Sequence, residues 1–138
     1  MKKLKTIKIA IVEDDVYYNK TLNRYVQNIC NSQVYPDHHF EIKSFFTAHD
    51  CIEELEDDLD IMILDYFLFN ETEEDVLTGS DVLEVVKTHC PNCKVIVASA
   101  QQSTHITNML VEKGIFEYID KNINSQNRIG AILQKAIA

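Results

Sequence analysis

The feature that most constrains the fold is a regular alternation of short apolar runs with amphipathic segments. Five runs have the length and composition of strands, and they cover residues 6–12, 39–46, 60–66, 94–99 and 115–120. The third and fourth runs are continuously apolar at their centres, which is typical of strands buried on both faces. The second run alternates between apolar and polar residues, as a half-exposed strand does.

Each run is followed by a segment with apolar residues at helical spacing. The first stripe, with Asp14 or Asp15 as the N-cap, comprises Tyr18, Leu22, Tyr25, Val26 and Ile29. The second, capped by Thr47, comprises Ile52, Leu55 and Leu59. Two further helices are predicted near 79–89 and over 103–114, with Gly114 ending the latter. The last stripe comprises Ile129, Ile132, Leu133, Ala136 and Ile137.

This order of elements predicts the α/β class, with a doubly wound parallel sheet of five strands and helices on both faces. The chain has 138 residues and contains no repeats, low-complexity tracts or linkers, so we expect a single domain over 1–138. No output domain is expected in this chain.

Charge and composition limit the binding partners and the cellular compartment that we expect for this chain. A formal charge of −9 disfavours direct binding to nucleic acid or to an anionic membrane. The basic and then apolar N-terminus runs into "EDD" instead of a cleavage site, which predicts a cytoplasmic protein. Cys90 and Cys93 form a lone Cys-x-x-Cys in "HCPNCK", which we interpret as a turn with two incidental thiols. The five histidines show no metal-ligand spacing.

Polar residues stand where the predicted strands end, which in open parallel sheets is where ligands bind. Glu13 and Asp14 follow the first strand, Asp65 the third, Ser99 the fourth and Lys121 the fifth. Carboxylates from two strands can share a hard cation such as Mg²⁺, and a lysine beside a hydroxyl suits a phosphoryl group. Three glycines in all exclude a glycine-rich phosphate loop, so we infer that one carboxylate carries the phosphoryl group covalently.

Four motifs together resemble the receiver domain of two-component response regulators. They are "IAIVEDD", "DIMILDY", "VIVASA" and "FEYIDKN", and the resemblance covers roughly residues 5–137. It implies a flavodoxin-like sheet with strand order 2-1-3-4-5 and a Mg²⁺ or Mn²⁺ cofactor. The implied partner is a sensor histidine kinase or a histidine phosphotransfer protein, and a homodimer or a downstream protein target stays open.

The resemblance also implies a role for each matching residue. Asp65 is the expected phosphoacceptor, in a reaction limited to self-phosphorylation and autodephosphorylation rather than turnover of external substrates. Asp14 is expected to bind the metal directly and Glu13 through water, with the backbone carbonyl of Phe67 as a further ligand. Asp15 fits no such role, so we interpret it as a helix N-cap.

The remaining implied roles concern the phosphorylated state. Ser99 is expected to hydrogen-bond the phosphoryl oxygen and Lys121 to pair with it. Tyr118 matches the aromatic residue that moves inward when the Ser99 hydroxyl is drawn toward the phosphate, so Ser99 and Tyr118 form the expected switch.

The sequence departs from the family pattern in two places. An acidic insertion follows Asp65 and could be a solvated loop, or it could tune metal affinity or kinase choice; its acidic members are Glu71, Glu73, Glu74 and Asp75. "KN" replaces the usual lysine–proline, so the Lys121–Asn122 peptide is expected to be trans. Phe67 and Gln101 flank the expected phosphoryl site, from which we predict slow hydrolysis of the aspartyl phosphate.

Three other functions are compatible with this fold class. A pseudo-receiver would keep the fold as a protein-interaction module without phosphorylation, and the intact set of polar strand-end residues argues against it. A phosphatase with an aspartate nucleophile would need an acid two residues further on, where Phe67 stands. A flavin module would need hydroxyls in the first loop, where carboxylates stand.

Overall fold

The computed structural model describes residues 3–66, 77–100, 104–122 and 125–138. Within them, strands and helices alternate along the chain. The strands are β1 (Lys5–Val12), β2 (His38–Phe45), β3 (Ile61–Asp65), β4 (Lys94–Ser99) and β5 (Glu117–Asp120). The helices are α1 (Val16–Ile29), α2 (Ala48–Glu53), α3 (Gly79–His89), α4 (Thr104–Glu112) and α5 (Ser125–Ile137).

All strand pairs are parallel and the strand order is β2-β1-β3-β4-β5. The predicted doubly wound, flavodoxin-like sheet of five strands is therefore confirmed. The chain leaves β1 for β2 on one side and returns to place β3 on the other side of β1. This reversal opens a crevice at the carboxyl ends of β1 and β3, which is where such sheets hold their ligands.

Two apolar layers cover the sheet, because successive side chains of a strand point to opposite faces. Ile9 and Ile11 of β1 face the layer that contains α1 and α5, whereas Ala10 and Val12 face the layer that contains α2 and α3. The central strand β3 is buried over its whole length, as its continuous apolar run predicted. The edge strand β2 shows the predicted alternation of half-buried and exposed residues.

Several boundaries differ from the predictions or refine them. Asp15, rather than Asp14, caps α1, and its carboxylate accepts a hydrogen bond from the Tyr18 N–H at 2.9 Å. The helix predicted to reach Leu59 ends at Glu53, because the backbone tightens there into i→i+3 turns. Leu59 still packs against the core from the connection that follows. Strand β5 begins at Glu117 rather than at 115, and Gly114 ends the preceding helical segment with a φ of 82°.

The cysteines behave as buried apolar residues. All four thiols are free and buried, and Cys93 N–H donates to the Cys90 carbonyl at 3.0 Å, which closes the predicted turn. Burial raises the pKa of both Cys51 and Cys93 to about 12, so neither thiol reacts readily near neutral pH. Over the part of the chain that the structure describes, no helix has the length and apolar character needed to cross a membrane.

Candidate functional site

The ends of β1 and β3 bring three carboxyl groups together. Glu13 and Asp14 follow β1, and Asp65 is the last residue of β3. One oxygen from each lies within 4.8 Å of the others. Glu13 is only 2% exposed and Asp65 only 7%, whereas Asp14 is partly exposed at the mouth of the crevice. The structure therefore places the predicted metal-binding side chains in one cluster, with Asp14 nearest to solvent.

Lys121 reaches this cluster from the end of β5. Its ammonium group donates to Asp65 Oδ2 at 3.2 Å and also to Glu13 Oε1. Burial alone would lower the pKa of Lys121, but hydrogen bonds with Glu13 and Asp65 and charge attraction to them together outweigh burial and raise the pKa. Lys121 is therefore a fixed cation at the position where the sequence predicted a partner for a phosphoryl group.

The cluster carries more negative charge than Lys121 neutralises. Burial, reinforced by Asp65 and Asp14, raises the pKa of Glu13 to about 8, although the hydrogen bond from Lys121 opposes this rise. Three carboxyl groups are grouped beside one ammonium group, so a further positive charge would stabilise the cluster. Carboxylate oxygens in this number are the donor set that hard divalent cations such as Mg²⁺ prefer. The residues present thus fit the metal that the sequence predicted.

Asn19 holds the loop between β1 and α1 in place. Its side-chain amide is fully buried, and the Nδ2 group donates to the Glu13 carbonyl at 2.9 Å and to the Phe45 carbonyl at 3.0 Å. Its Oδ1 atom is buried without a hydrogen-bond partner among the described residues. Sequence reasoning missed Asn19, although the signal was available: an amide lies on the same helical stripe as the buried Leu22 and Val26.

Tyr18 is a second residue whose position at the site was missed. The sequence placed it on the apolar stripe of α1, but its ring lies 4.7 Å from Lys121 Nζ, measured to the ring centroid. Its hydroxyl is 3.4 Å from Ser125 Oγ, at the start of α5. No pattern in the sequence alone indicates this contact, because the three residues come from separate elements.

Ser99 and Tyr118 lie together beside the cluster. Ser99 ends β4 and is fully buried, and its carbonyl accepts the Lys121 N–H at 2.8 Å. Tyr118 is half-buried in β5. Burial raises the pKa of Tyr118, whereas hydrogen bonds with Ser99 and Thr107 act in the opposite direction. The two predicted switch residues therefore contact each other.

Gly79 brings the start of α3 against the end of β3. A Cβ atom at Gly79 would overlap with the backbone of Tyr66, the residue that follows Asp65. Only glycine permits this close approach, so Gly79 constrains the chain next to the predicted phosphoacceptor. The predictions for Phe67, for Gln101 and for the acidic insertion concern residues outside the described ranges. No described peptide bond is cis, so Lys121–Asn122 is trans as expected.

A second group of potential ligands consists of His49, Asp50 and Glu53, all exposed on the short α2. His49 Nε2 and Glu53 Oε2 form an ion-pair contact at 3.2 Å, one helical turn apart. This pairing accounts for the proximity of the two side chains, and the buried cluster at the strand ends remains the candidate site.

No protein-family model matches the sequence, and no curated protein matches it either. Solved structures do match. The non-phosphorylated HemR receiver domain from Leptospira biflexa superposes with a TM-score of 0.76 at 18% identity, covering 96% of this chain and 94% of that one. The signal receiver domain of a putative LuxO repressor protein from Vibrio parahaemolyticus gives 0.70 at 23% identity, covering 96% and 93%. The BeF3-activated DrrB receiver domain gives 0.73 at 19% identity, covering 96% and 97%.

These similarities define the fold. The chain has the fold of response regulator receiver domains over nearly its whole length. The resemblance found in the sequence motifs and the similarity found in the structure agree.

Proposed function

We propose that this chain is a phosphoacceptor receiver domain of a two-component phosphorelay. The observation that carries the proposal is the position of Asp65, which lies among two other carboxyl groups and 3.2 Å from Lys121 Nζ. A structural ion pair between Asp65 and Lys121 would not need the two further carboxyl groups. Phosphoryl transfer to a carboxylate needs positive charge against the phosphoryl oxygens. The further carboxyl groups would hold a metal cation that supplies this charge together with Lys121.

In the proposed reaction, an Asp65 carboxylate oxygen attacks the phosphorus of a phosphohistidine on a histidine kinase or phosphotransfer protein. The new O–P bond forms as the P–N bond breaks, and the imidazole leaves with the electron pair. Lys121 and the Ser99 hydroxyl would donate hydrogen bonds to oxygens of the transferred group. Glu13, Asp14 and Asp65 would hold Mg²⁺, with the Phe67 carbonyl as the predicted further ligand. When bound, the metal supplies positive charge against the transferring oxygens.

The contact between Ser99 and Tyr118 supports a conformational switch within this proposal. A phosphoryl group on Asp65 would compete with Tyr118 for the Ser99 hydroxyl, and Tyr118 would then change its surroundings. We expect the ring signals of Tyr118 in an NMR spectrum to shift on phosphorylation in the wild type. Ser99→Ala should reduce this shift, whereas Ser44→Ala, at the opposite edge of the sheet in β2, should leave it intact.

The test of the main proposal is incorporation of one phosphoryl group from acetyl phosphate in the presence of Mg²⁺, followed by intact-mass spectrometry. We expect hydroxylamine-labile phosphate on the wild type and none on Asp65→Asn. The matched control is Asp58→Asn, an exposed carboxylate before β3, which should be phosphorylated as the wild type is. A folded wild type that gains no phosphate would favour a pseudo-receiver that binds proteins without phosphorylation.

A cytoplasmic location and a single-domain organisation over 1–138 belong to the same proposal.

A further inference from the structure

We infer that Tyr18 is a positioning residue for Lys121, and that its aromatic ring, rather than its hydroxyl group, does the positioning. This inference rests on the proposed function, because it concerns how the lysine is aimed at the group bound to Asp65. Tyr18 lies in the first turn of α1, which begins immediately after the carboxylates of the β1 end. The ring therefore stands between the cluster and α5.

The Lys121 ammonium contacts carboxylates on one side and an aromatic ring on another. On one side it donates to Glu13 and Asp65. On another side the Tyr18 ring lies 4.7 Å from Nζ, within the range of a cation–π interaction. The lysine side chain is only 18% exposed, so water screens this attraction weakly. The ring thus restricts the ammonium to positions near Asp65.

The Tyr18 ring is itself held in place from two directions. The Tyr18 N–H donates to the N-cap carboxylate of Asp15, which fixes the backbone, and its hydroxyl lies 3.4 Å from Ser125 Oγ. Ser125 is buried, and its N–H donates to the Asn122 carbonyl at 3.0 Å. Because 3.4 Å is long for a hydroxyl–hydroxyl bond, this contact is the weaker of the two. The ring should therefore keep its position when the hydroxyl is removed.

The geometry is specific to Tyr18 among the tyrosines at the start of α1. Tyr17 precedes it in the sequence but is 82% exposed, and the ring contact of Lys121 is with Tyr18. Tyr17 thus provides a matched control, since its replacement changes the same helix turn without removing a ring from Lys121.

The kinetic experiment follows phosphorylation by acetyl phosphate at saturating Mg²⁺ in four proteins: wild type, Tyr18→Phe, Tyr18→Leu and Tyr17→Leu. We expect Tyr18→Leu to lower the maximal rate about tenfold, as loss of a shielded cation–π contact would. Its half-saturating acetyl phosphate concentration should stay within about twofold, since Lys121 acts on the transferring group. Tyr18→Phe and Tyr17→Leu should both be phosphorylated within about twofold of the wild-type rate, because both variants keep an aromatic ring at position 18 beside Lys121.

A second experiment does not depend on phosphorylation. A double-mutant cycle of Tyr18→Leu and Lys121→Met, followed by urea denaturation, should show a coupling of about fivefold in the unfolding equilibrium constant. If Tyr18→Leu proves unfolded by circular dichroism, Tyr18→Met replaces it in both experiments. A wild type without phosphate would overturn the proposed function alone, and the cycle would still decide whether the ring and Lys121 interact.

Three outcomes would overturn the inference. An unchanged maximal rate in Tyr18→Leu would show that the ring is dispensable. A rate as low in Tyr18→Phe as in Tyr18→Leu would assign the effect to the hydroxyl and Ser125. Additive changes in the free energy of unfolding in the double-mutant cycle would show that Tyr18 contributes through packing and does not interact with Lys121.

Discussion

Two clusters of carboxylates and lysines lie at opposite ends of the sheet, and they differ in burial and in charge balance. At the carboxyl end, three carboxyl groups lie close together, Lys121 contacts two of them, and those two are almost completely buried. At the amino end of β3, Lys8 and Lys43 both bind Glu56, and Lys8 Nζ also lies 2.9 Å from Asp58 Oδ2. There the side chains of Glu56 and Asp58 are 39% and 63% exposed.

The difference in burial explains why two clusters of the same residue types differ in how strongly their charges interact. Water screens the amino-end pairs, and measured exposed ion pairs of this kind contribute little to stability. Burial removes that screening at the carboxyl end, so each unpaired charge there is costly and an added cation or phosphoryl group has a large effect. A buried cluster that is poorly neutralised by the protein itself is typical of a binding site, whereas an exposed cluster screened by water is typical of a surface.

The largest expected effect is the loss of stability when Lys121 is replaced, compared with replacement of Lys43 in the other cluster. Lys121→Met should lower the free energy of unfolding by about 3 kcal/mol at neutral pH without metal, because it leaves buried carboxylates without their partner. Lys43→Met should have a much smaller effect, since its partner Glu56 stays in contact with water and with Lys8. Urea denaturation of both variants in EDTA measures this, and equal losses would contradict the comparison.

A smaller effect is expected from Mg²⁺. At ten times its dissociation constant, Mg²⁺ should raise the free energy of unfolding of the wild type by about 1.4 kcal/mol through binding to the folded state. Asp14→Asn should remove most of this gain, because Asp14 is the predicted direct ligand. Asp58→Asn, in the other cluster, should retain the gain. Thermal denaturation with and without EDTA provides the measurement, and a wild type insensitive to Mg²⁺ would argue against a metal site.

The smallest expected effect concerns acid stability at the amino end. Hydrogen bonds from Lys43 and Lys8 lower the pKa of Glu56 from 4.5 to about 2. Because the folded-state pKa is the lower one, the stabilising contribution is fully present above the unfolded pKa of 4.5 and is lost as the pH falls toward 2.

The measurement is the stability difference between the wild type and Glu56→Gln, determined by urea denaturation at pH values from neutral down to acid. The difference should shrink as the pH falls through this window, and 1 M NaCl should reduce it at neutral pH by screening. A difference that does not change with pH would show that Glu56 contributes through packing instead of charge.

Much of the fold was predictable because the relevant physics is local. The continuous apolar run at β3, the alternation at β2 and the helical stripe of α5 each reflect the burial of one element. The helix predicted to reach Leu59 was too long because Leu59 is apolar and buried for a different reason. It packs against the core from a turn, and periodicity alone cannot distinguish the two cases.

The candidate site was predictable to the extent that it depends on strand ends. Strand order and direction place Glu13, Asp65 and Lys121 at one edge, so their proximity followed from a topological rule. Asn19 and Tyr18 follow no such rule. Their roles depend on which way a side chain of α1 points once the helix has packed. Tyr18 also depends on contacts with residues about a hundred positions away, Lys121 and Ser125.

The sequence by itself therefore determined the order of the elements, the faces that they bury and the edge of the sheet where charged groups collect. Each of these follows from short-range periodicity and from the rules of parallel sheets. Only the tertiary structure decided that Asp15 caps the helix while Glu13 is buried, that Lys121 contacts both Glu13 and Asp65, and that the Tyr18 ring lies against the lysine. The physical reason is that desolvation, charge pairing and ring contacts depend on distances between elements, which the sequence does not contain.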